Sequence, residues 1–311
     1  MPIRRIGYAC QNLSISEGLK KSERVMCDRT CRMDGFSLSR AGELALKNCK
    51  DLKRIMLWNT EHGVKMFRIT SCLFPFMDHP TLGYKVEDLY ESAEILKILR
   101  ETGEIAKLHD IRLSCHPGPF TTLASPNEEN VKKTLLGLDM HDNIGNMLGL
   151  GEEFVINIHV GGSYDSKIKT AARFVHNFQR LNPSLKKRIT LENDDKGGGW
   201  SITELRRLIS EKTGTKLVLD VHHHRFRSDE SLPEAARLAF ETWEGFVDPP
   251  KIHYSESAEG KMPTAHSDYI TGPIPSLNTN LSYDVMLEVK AKDKAYLKVR
   301  ENLCEEGEIN G

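Results

Sequence analysis

Histidines and carboxylates recur in this sequence at one kind of place, in or just past short runs of β-branched and aliphatic residues. His79, His116, His159, Glu192, Asp220, His223, His253 and Glu288 each end, follow or sit in such a run, and His266 lies in the stretch after the seventh. A lone histidine there is ordinarily a loop residue or a hydrogen-bonded core imidazole. If the runs gather these residues, that reading fails, because clustered imidazoles and carboxylates without a cation leave polar groups desolvated and anions repelling one another. A divalent metal cluster resolves both problems. Nitrogen and oxygen donors with no thiolate beside them suit Mn²⁺, Zn²⁺ or Fe²⁺ better than Ca²⁺, without ranking the three.

Spacing adds to this at two points. Lys251 and His253 are two residues apart in a strand-like run, so both point to the same side, toward the interior. An ammonium beside divalent cations is strongly repelled. Lys251 is therefore expected to be neutral, or to have taken up CO₂ as a carbamate that bridges metals; the alternative is a lysine reaching outward to a surface carboxylate. In the run His222-His223-His224, His223 stands three residues after Asp220 and can curl back to the same cation, which leaves His222 and His224 for supporting or phosphate contacts.

The elements that must position these groups follow from an alternation of hydrophobic periods. Strand-like runs near 3–9, 64–70, 110–116, 153–160, 188–194, 216–222, 250–255 and 284–289 are separated by amphipathic stretches such as 39–58, 85–107, 127–148, 166–181, 202–212 and 233–246. Helix starts are marked by Ser125-Pro126 with Glu128, Ser201 with Glu204 and Ser231 with Glu234, each read as an N-cap hydroxyl with a carboxylate at N3. Eight strands with helical crossovers predict an α/β fold of the closed (β/α)₈ TIM-barrel type. It is expected as a single domain over 1–311, with a core over about 3–290 and a C-terminal helix and tail over 291–311. An open doubly wound sheet usually carries a Gly-rich phosphate loop after its first strand. Here that strand ends in Tyr8-Ala9-Cys10-Gln11-Asn12, and Gly197-Gly198-Gly199 follows the fifth strand as a flexible loop. In a barrel the carboxyl ends of the strands form the catalytic face, so residues far apart in sequence meet there.

Composition narrows the class. With 39% hydrophobic and 28% charged residues, the chain reads as a cytosolic globular protein. A formal charge of −1 argues against nonspecific coating of nucleic acid, while leaving a local basic face open. No apolar run approaches the roughly 18 residues of a spanning helix. Met1-Pro2-Ile3-Arg4-Arg5 leads into a strand rather than a signal segment, so the expected location is cytoplasmic, without export. The seven cysteines are odd in number and scattered, and read as reduced thiols; Cys27 and Cys31 make a weak metal pair at best.

Arg68-Ile69-Thr70-Ser71 running to Pro75 and His79, Ser114-Cys115-His116-Pro117-Gly118, Leu191-Glu192-Asn193-Asp194, Asp220-Val221-His222-His223 and Lys251-Ile252-His253-Tyr254-Ser255 resemble, in that order, the motifs of the UV damage endonuclease family. The resemblance covers strand one to strand eight. It implies a TIM barrel related to endonuclease IV and a cluster of two or three divalent metals, Mn²⁺ foremost with Zn²⁺ or Mg²⁺ as alternatives. It further implies a cut in double-stranded DNA immediately 5′ to pyrimidine dimers, 6-4 photoproducts and some other lesions. Metal ligation is carried onto His79, His116, His159, Glu192, Asp220, His223, His253, His266 and Glu288, with Lys251 at the position that can be carboxylated. Catalysis then centres on Glu192, Lys251, His253 and Glu288. Tyr8 and Asn12 match positions that contact the lesion. After the third strand the family commonly inserts Gln and an aromatic to probe the strand opposite the damage; this sequence has Pro119-Phe120, keeping the aromatic and losing the amide, which leaves the lesion spectrum open.

That function requires damaged nucleotides to turn out of the duplex to reach a concave barrel mouth. Phe120 is then either an apolar wedge in the vacated stack or an aromatic packed on the barrel rim. The protein is expected to act as a monomer on damaged DNA, with no membrane and no obligate protein partner. A sugar isomerase or epimerase on the same fold would lean on carboxylates and need fewer imidazoles. A non-catalytic lesion-binding barrel would have lost ligand positions.

Overall fold

The structure, a computed structural model, describes residues 3–305. Its strands are β1 (Ile3–Ala9), β2 (Met66–Ile69), β3 (Arg112–Cys115), β4 (Val155–Ile158), β5 (Ile189–Glu192), β6 (Lys216–Asp220), β7 (Lys251–Tyr254) and β8 (Tyr283–Leu287). Each pairs in parallel with the next and β8 closes onto β1, so the predicted TIM barrel is present. Most strands are shorter than their apolar runs, because pairing stops where the chain turns into the loops. The helices are α1 (Leu38–Glu61), α2 (Ser92–Leu108), α3 (Glu128–Met147), α4 (Lys167–Phe178), α5 (Pro183–Arg188), α6 (Ile202–Leu205), α7 (Glu211–Thr213), α8 (Val221–His224), α9 (Leu232–Glu241) and α10 (Lys292–Glu305), with a π-helical turn, Arg206–Ser210, joining α6 to α7. The short α5 and α8 are invisible to helical periodicity. Residues 1–2 and the tail 306–311 lie outside the described residues. Among the described residues no helix is long and apolar enough to cross a membrane.

Two of the three expected helix starts differ. Ser201 and Glu204 do form a reciprocal capping box on α6. The N-cap of α3, however, is Asn127, whose side chain accepts from Glu129 N, while Ser125 Oγ accepts from Asn127 N one turn earlier. Pro126 occupies the position where a cap at Ser125 would start the helix. Ser231 stands at the N-cap of α9 without a side-chain hydrogen bond, the first turn being set by Pro233 instead.

Alternation along each strand sorts the barrel into two environments. Outward residues such as Ile6, Tyr8, Phe67, Leu113, Ile156, Leu191, Leu219, Ile252 and Val285 join the main core under the helices. The inward set contributes little to that core: Ala9, Met66 and Met286 form a small cluster of their own, and Val155 and Val218 another with Trp243. Gly7 completes the first, because a Cβ there would lie 1.7 Å from the carbonyl oxygen of Met66.

The rest of the lumen is charged. At the amino ends of the strands Asp284 accepts from Arg5 (3.1 Å) and Arg112 (2.7 Å), and Arg5 also reaches Asp248 (2.7 Å) and Asp110 (2.5 Å). The guanidinium of Arg112 lies 5.0 Å from the centre of the Trp243 ring. Arginines and aspartates thus close the floor by pairing with one another. Removing one partner from a buried pair costs about 3–5 kcal/mol, because it strands the other charge. Asp284→Ala is therefore expected to destabilise the fold by about that amount in urea denaturation. An unchanged transition midpoint would show the floor pairing to be dispensable.

Candidate metal centre

At the opposite, carboxyl-terminal mouth the strand ends deliver donors instead of pairs. His116 follows β3, His159 follows β4, Glu192 ends β5, Asp220 ends β6, His253 lies in β7 and Glu288 follows β8. His223 arrives from α8, which Asp220 caps by accepting from His223 N (2.7 Å). Glu192 stands at the centre. Its Oε2 lies 3.3 Å from His116 Nε2 and 3.1 Å from His253 Nδ1, and its Oε1 lies 3.5 Å from His223 Nδ1. His253 Nδ1 is also 2.9 Å from Glu288 Oε1. Donor atoms of His116, His159 and Glu192 lie within 4.8 Å of one another, as do those of Glu192, Asp220, His253 and Glu288. Glu192 belongs to both groups.

These contacts are close without being well-made hydrogen bonds. Both ring nitrogens of His253, Glu192 Oε1, Asp220 Oδ2, His159 Nδ1 and Lys251 Nζ are buried and lack a hydrogen-bond partner. Buried polar groups are otherwise paired almost without exception. Nitrogen and oxygen donors converging in this way, with no thiolate among them, fit a divalent cation. Ring tautomers agree with that fit. His116 Nδ1 faces the Pro117 carbonyl (3.1 Å), His223 Nδ1 faces the Asn193 carbonyl (2.8 Å), and His266 Nδ1 lies 2.6 Å from Ser255 Oγ. A proton placed on Nδ1 by a carbonyl leaves the Nε2 lone pair free for a metal.

The electrostatics record how crowded the mouth is. Burial pulls His116 down to about 4. Burial also works against charge on His159 and His223, but Glu192 with Asp194 pushes the first up to about 10, and Asp220 with Glu192 pushes the second up to about 9. Asp220 is raised to about 7, chiefly by burial, with Glu192 adding to it and His223 opposing. Glu192 and Glu288 are held well below the usual carboxylate range in spite of burial, Glu192 by His253 and His159, Glu288 by Arg68 and His253. Lys251 is lowered to about 7, mainly by burial and then by Arg112 and Arg68. It is fully enclosed in the lumen, so the outward, surface-seeking lysine is ruled out.

Side chains that carry no ligand signal in sequence hold the donors in place. Asn157 donates to Glu192 Oε2 and accepts from Thr190 Oγ1 (2.9 Å). Asn193 bridges β5 and β6 by donating to the Asp220 carbonyl (2.9 Å) and accepting from Asp220 N (2.8 Å). Asp194 Oδ1 lies 3.2 Å from His159 Nδ1, and Arg68 donates to Glu288. Asn157 and Thr190 stand two residues before His159 and Glu192, so strand alternation marks them as inward; nothing marks them as partners.

The expectation for Tyr8 and Asn12 needs correcting. His79 is outside both convergent groups, as are His223 and His266. The Nδ1 of His79 lies 3.3 Å from Thr81 N and 3.1 Å from Leu82 N of its own loop. Tyr8 faces outward from β1 into the core, its hydroxyl donating to Asn59 (2.6 Å) and accepting from Asn12 (2.8 Å). Asn12, also buried, spends its carbonyl on Ile15 N (3.0 Å), so neither offers a surface to DNA. His224 is tied to the Glu230 carbonyl (3.0 Å), and His222 makes supporting contacts, to the Thr264 carbonyl and the His266 ring. The triple glycine lies in the loop after β5, where Gly199 N donates to Lys196 O (2.8 Å).

By contrast Phe120 is 92% exposed, at the third position of a turn closed by Thr121 N to Gly118 O (3.0 Å) with Pro119 at the second. It is not packed on the rim. Pro119, Phe120, His116, His159, Glu192, His223, His266 and Glu288 all line one open cavity of about 1020 Å³.

A closed parallel barrel with imidazoles and carboxylates at ligand spacing on its carboxyl-terminal mouth defines the class: a TIM-barrel protein with a candidate metal-dependent active site. The family described as UV-endonuclease UvdE matches residues 4–311, and the chain belongs to that family. A UV-damage endonuclease of Schizosaccharomyces pombe is 36% identical over 314 residues, covering 95% of this chain and 50% of the relative, so this chain spans about half that protein's length. The crystal structure of SacUVDE shares 31% identity with a TM-score of 0.85, covering 98% of this chain and 99% of its own. Endonuclease IV from Thermus thermophilus, at 15% identity, TM-score 0.56 and coverage of 82% and 94%, is a likeness of fold.

Metal ligation needs deprotonated imidazoles, whereas His159 and His223 hold their protons at neutral pH in this crowd of anions. Loading with Mn²⁺ is therefore expected to release protons, and affinity is expected to rise from about pH 6 to about pH 9. Calorimetric titration in buffers of different ionisation enthalpy measures the release. Heats independent of buffer would contradict a site built on these two histidines.

Proposed function

We propose that this chain is a metal-dependent DNA repair endonuclease that nicks double-stranded DNA immediately 5′ to pyrimidine dimers and 6-4 photoproducts, acting as a monomer. The observation that carries the reading is Glu192, buried where two donor groups meet, in a chain of the UV-endonuclease family. His116, His159 and Glu192 would hold one cation, and Glu192, Asp220, His253 and Glu288 another, with His223 and His266 alongside. Bound there, a cluster of two or three divalent ions, Mn²⁺ foremost and Zn²⁺ or Mg²⁺ in its place, supplies Lewis acidity toward a scissile phosphate and its leaving oxygen.

The chain's own residues do the positioning. Glu192 is oriented by Asn157, and Glu288 by Arg68. Lys251, buried and without a hydrogen-bond partner, has a neutral amine within reach at neutral pH. That is the form that adds CO₂: the nitrogen lone pair bonds to carbon, a proton leaves, and the product is an anionic carbamate matched to cations. The exposed Phe120 is placed to fill the gap left when damaged nucleotides leave the duplex. Pro119 beside it has no side-chain donor for an orphaned base. A sugar isomerase on this fold would need fewer imidazoles, and a non-catalytic barrel has no reason to keep these donors together.

Two measurements test the reading. The Mn²⁺-loaded protein should nick UV-irradiated plasmid and spare the same plasmid unirradiated, and Glu192→Gln should lower that rate by more than about a hundredfold with an unchanged circular dichroism spectrum. Equal nicking of both plasmids would refute damage specificity. Stacking of a base on an aromatic is worth about 1–3 kcal/mol. Phe120→Ala is thus expected to weaken binding to a duplex with one thymine dimer by roughly ten- to a hundredfold, and binding to the intact duplex far less. Equal losses on both would make Phe120 a general contact.

A further inference from the structure

A second aromatic lines the cavity that Phe120 lines. Tyr164, in the loop between β4 and α4, lines the space shared by His116, His159, Glu192 and Phe120. The residue is 48% exposed, with the guanidinium of Arg173 5.5 Å from the ring centre. A core tyrosine buries its ring and finds its hydroxyl a partner; this one presents ring surface to the space beside the candidate metal centre.

The backbone is built to hold it there. Tyr164 has φ +42°, a left-handed conformation that a residue with a bulky side chain keeps only when its surroundings impose it. Those surroundings are specific. Thr170 Oγ1 donates to Ser163 O (2.6 Å) just before the tyrosine, and Trp200 Nε1 donates to Gly161 O (2.8 Å) at the start of the loop. Gly161, at φ +90°, lets the loop press on its neighbour: a Cβ there would lie 2.9 Å from Thr122 Cγ2, two residues from Phe120. Arg173, beside the tyrosine ring, also donates to Ala124 O (3.0 Å) in the Phe120 loop. The loops after β3 and β4 are thus braced into one frame, with an exposed ring on each. Exposed Lys133 and Lys196 line the same cavity and suit phosphates on either side of it.

We infer that Tyr164 is a specificity-determining residue that stacks on an extruded base of the lesion, in the cavity it shares with Phe120. The division of labour follows from position. Phe120, at the tip of a turn and almost wholly exposed, is placed to enter the duplex, while Tyr164, seated on Arg173 beside His159, receives what leaves it. A guanidinium under the ring adds to the attraction for a base stacked on the other face. The cavity, at the upper end of the ~300–1,000 Å³ typical of ligand pockets, has room for more than one base. This inference rests on the endonuclease reading, and the test separates the two.

Tyr164→Ala, Tyr164→Phe and Tyr164→Leu are compared with the unaltered chain, all Mn²⁺-loaded. The measurements are nicking of a duplex carrying one thymine dimer and, in the Glu192→Gln background, equilibrium binding to matched duplexes with and without the dimer. Tyr164→Ala should weaken binding to the damaged duplex by roughly ten- to a hundredfold and raise KM for nicking accordingly, with intact-duplex affinity and metal content unchanged. Tyr164→Phe should restore binding and Tyr164→Leu should not, because the leucine fills the loop without a π-face. Loss of affinity that is equal for both duplexes, or that Tyr164→Leu rescues as well as Tyr164→Phe, would make Tyr164 a packing element and overturn the inference. Undiminished damage binding by Tyr164→Ala would overturn it while leaving the endonuclease reading intact. A chain that nicks damaged and undamaged DNA alike would fail at the level of the reading itself and take the inference with it.

Discussion

Charge buried in the lumen of a closed barrel has to be matched inside the lumen, because eight paired strands leave water no route between them. This protein meets that constraint differently at its two ends. At the floor, Arg5 and Arg112 are matched by Asp248 and Asp284, so the charges cancel within the protein. At the mouth, Glu192, Asp220 and Glu288 meet imidazoles instead of guanidiniums, except where Arg68 reaches Glu288. The imidazoles match them incompletely. Protons drawn onto His159 and His223 cover part of the deficit, and a site for divalent cations is what the remaining unpartnered atoms describe.

The same constraint explains why the supporting residues are amides and hydroxyls. A lone buried carboxylate oxygen can be turned by small rotations, and a donor misplaced by an ångström serves a metal badly. Asn157, held by Thr190, fixes one oxygen of Glu192, and Asn193 locks the ends of β5 and β6 to each other while its carbonyl sets the tautomer of His223. None of these groups brings a further charge into the lumen. They orient without adding to the imbalance the centre already carries.

Barrels of this architecture host unrelated chemistries, and the difference lies in the loops at the mouth. Here the loops after β3 and β4 project aromatic rings next to the donors and are braced against each other through Thr122, Gly161 and Arg173. An open mouth rimmed with rings and lysines suits a flat, anionic ligand that arrives from a larger body.

Local physics made some of this legible in the residues alone. Alternating strand and helix periods determined a barrel, the positions of His116, His159, Glu192, Asp220 and Glu288 at strand ends determined where donor atoms would converge, and a two-residue spacing put Lys251 and His253 on the inward side together. The Ser201–Glu204 box is equally local, and formed as its spacing required. What the sequence could not determine depends on neighbours brought from elsewhere. Tyr8 looks available for a ligand until β1 is seen to turn it outward under α10, with Tyr296 packed nearby. Arg5, Arg112 and Asp284 come from three strands that meet only when the barrel closes with its particular stagger. Periodicity reports which face of one strand a side chain takes; closure and register alone decide which faces meet, and therefore which charges cancel and which stay unmatched.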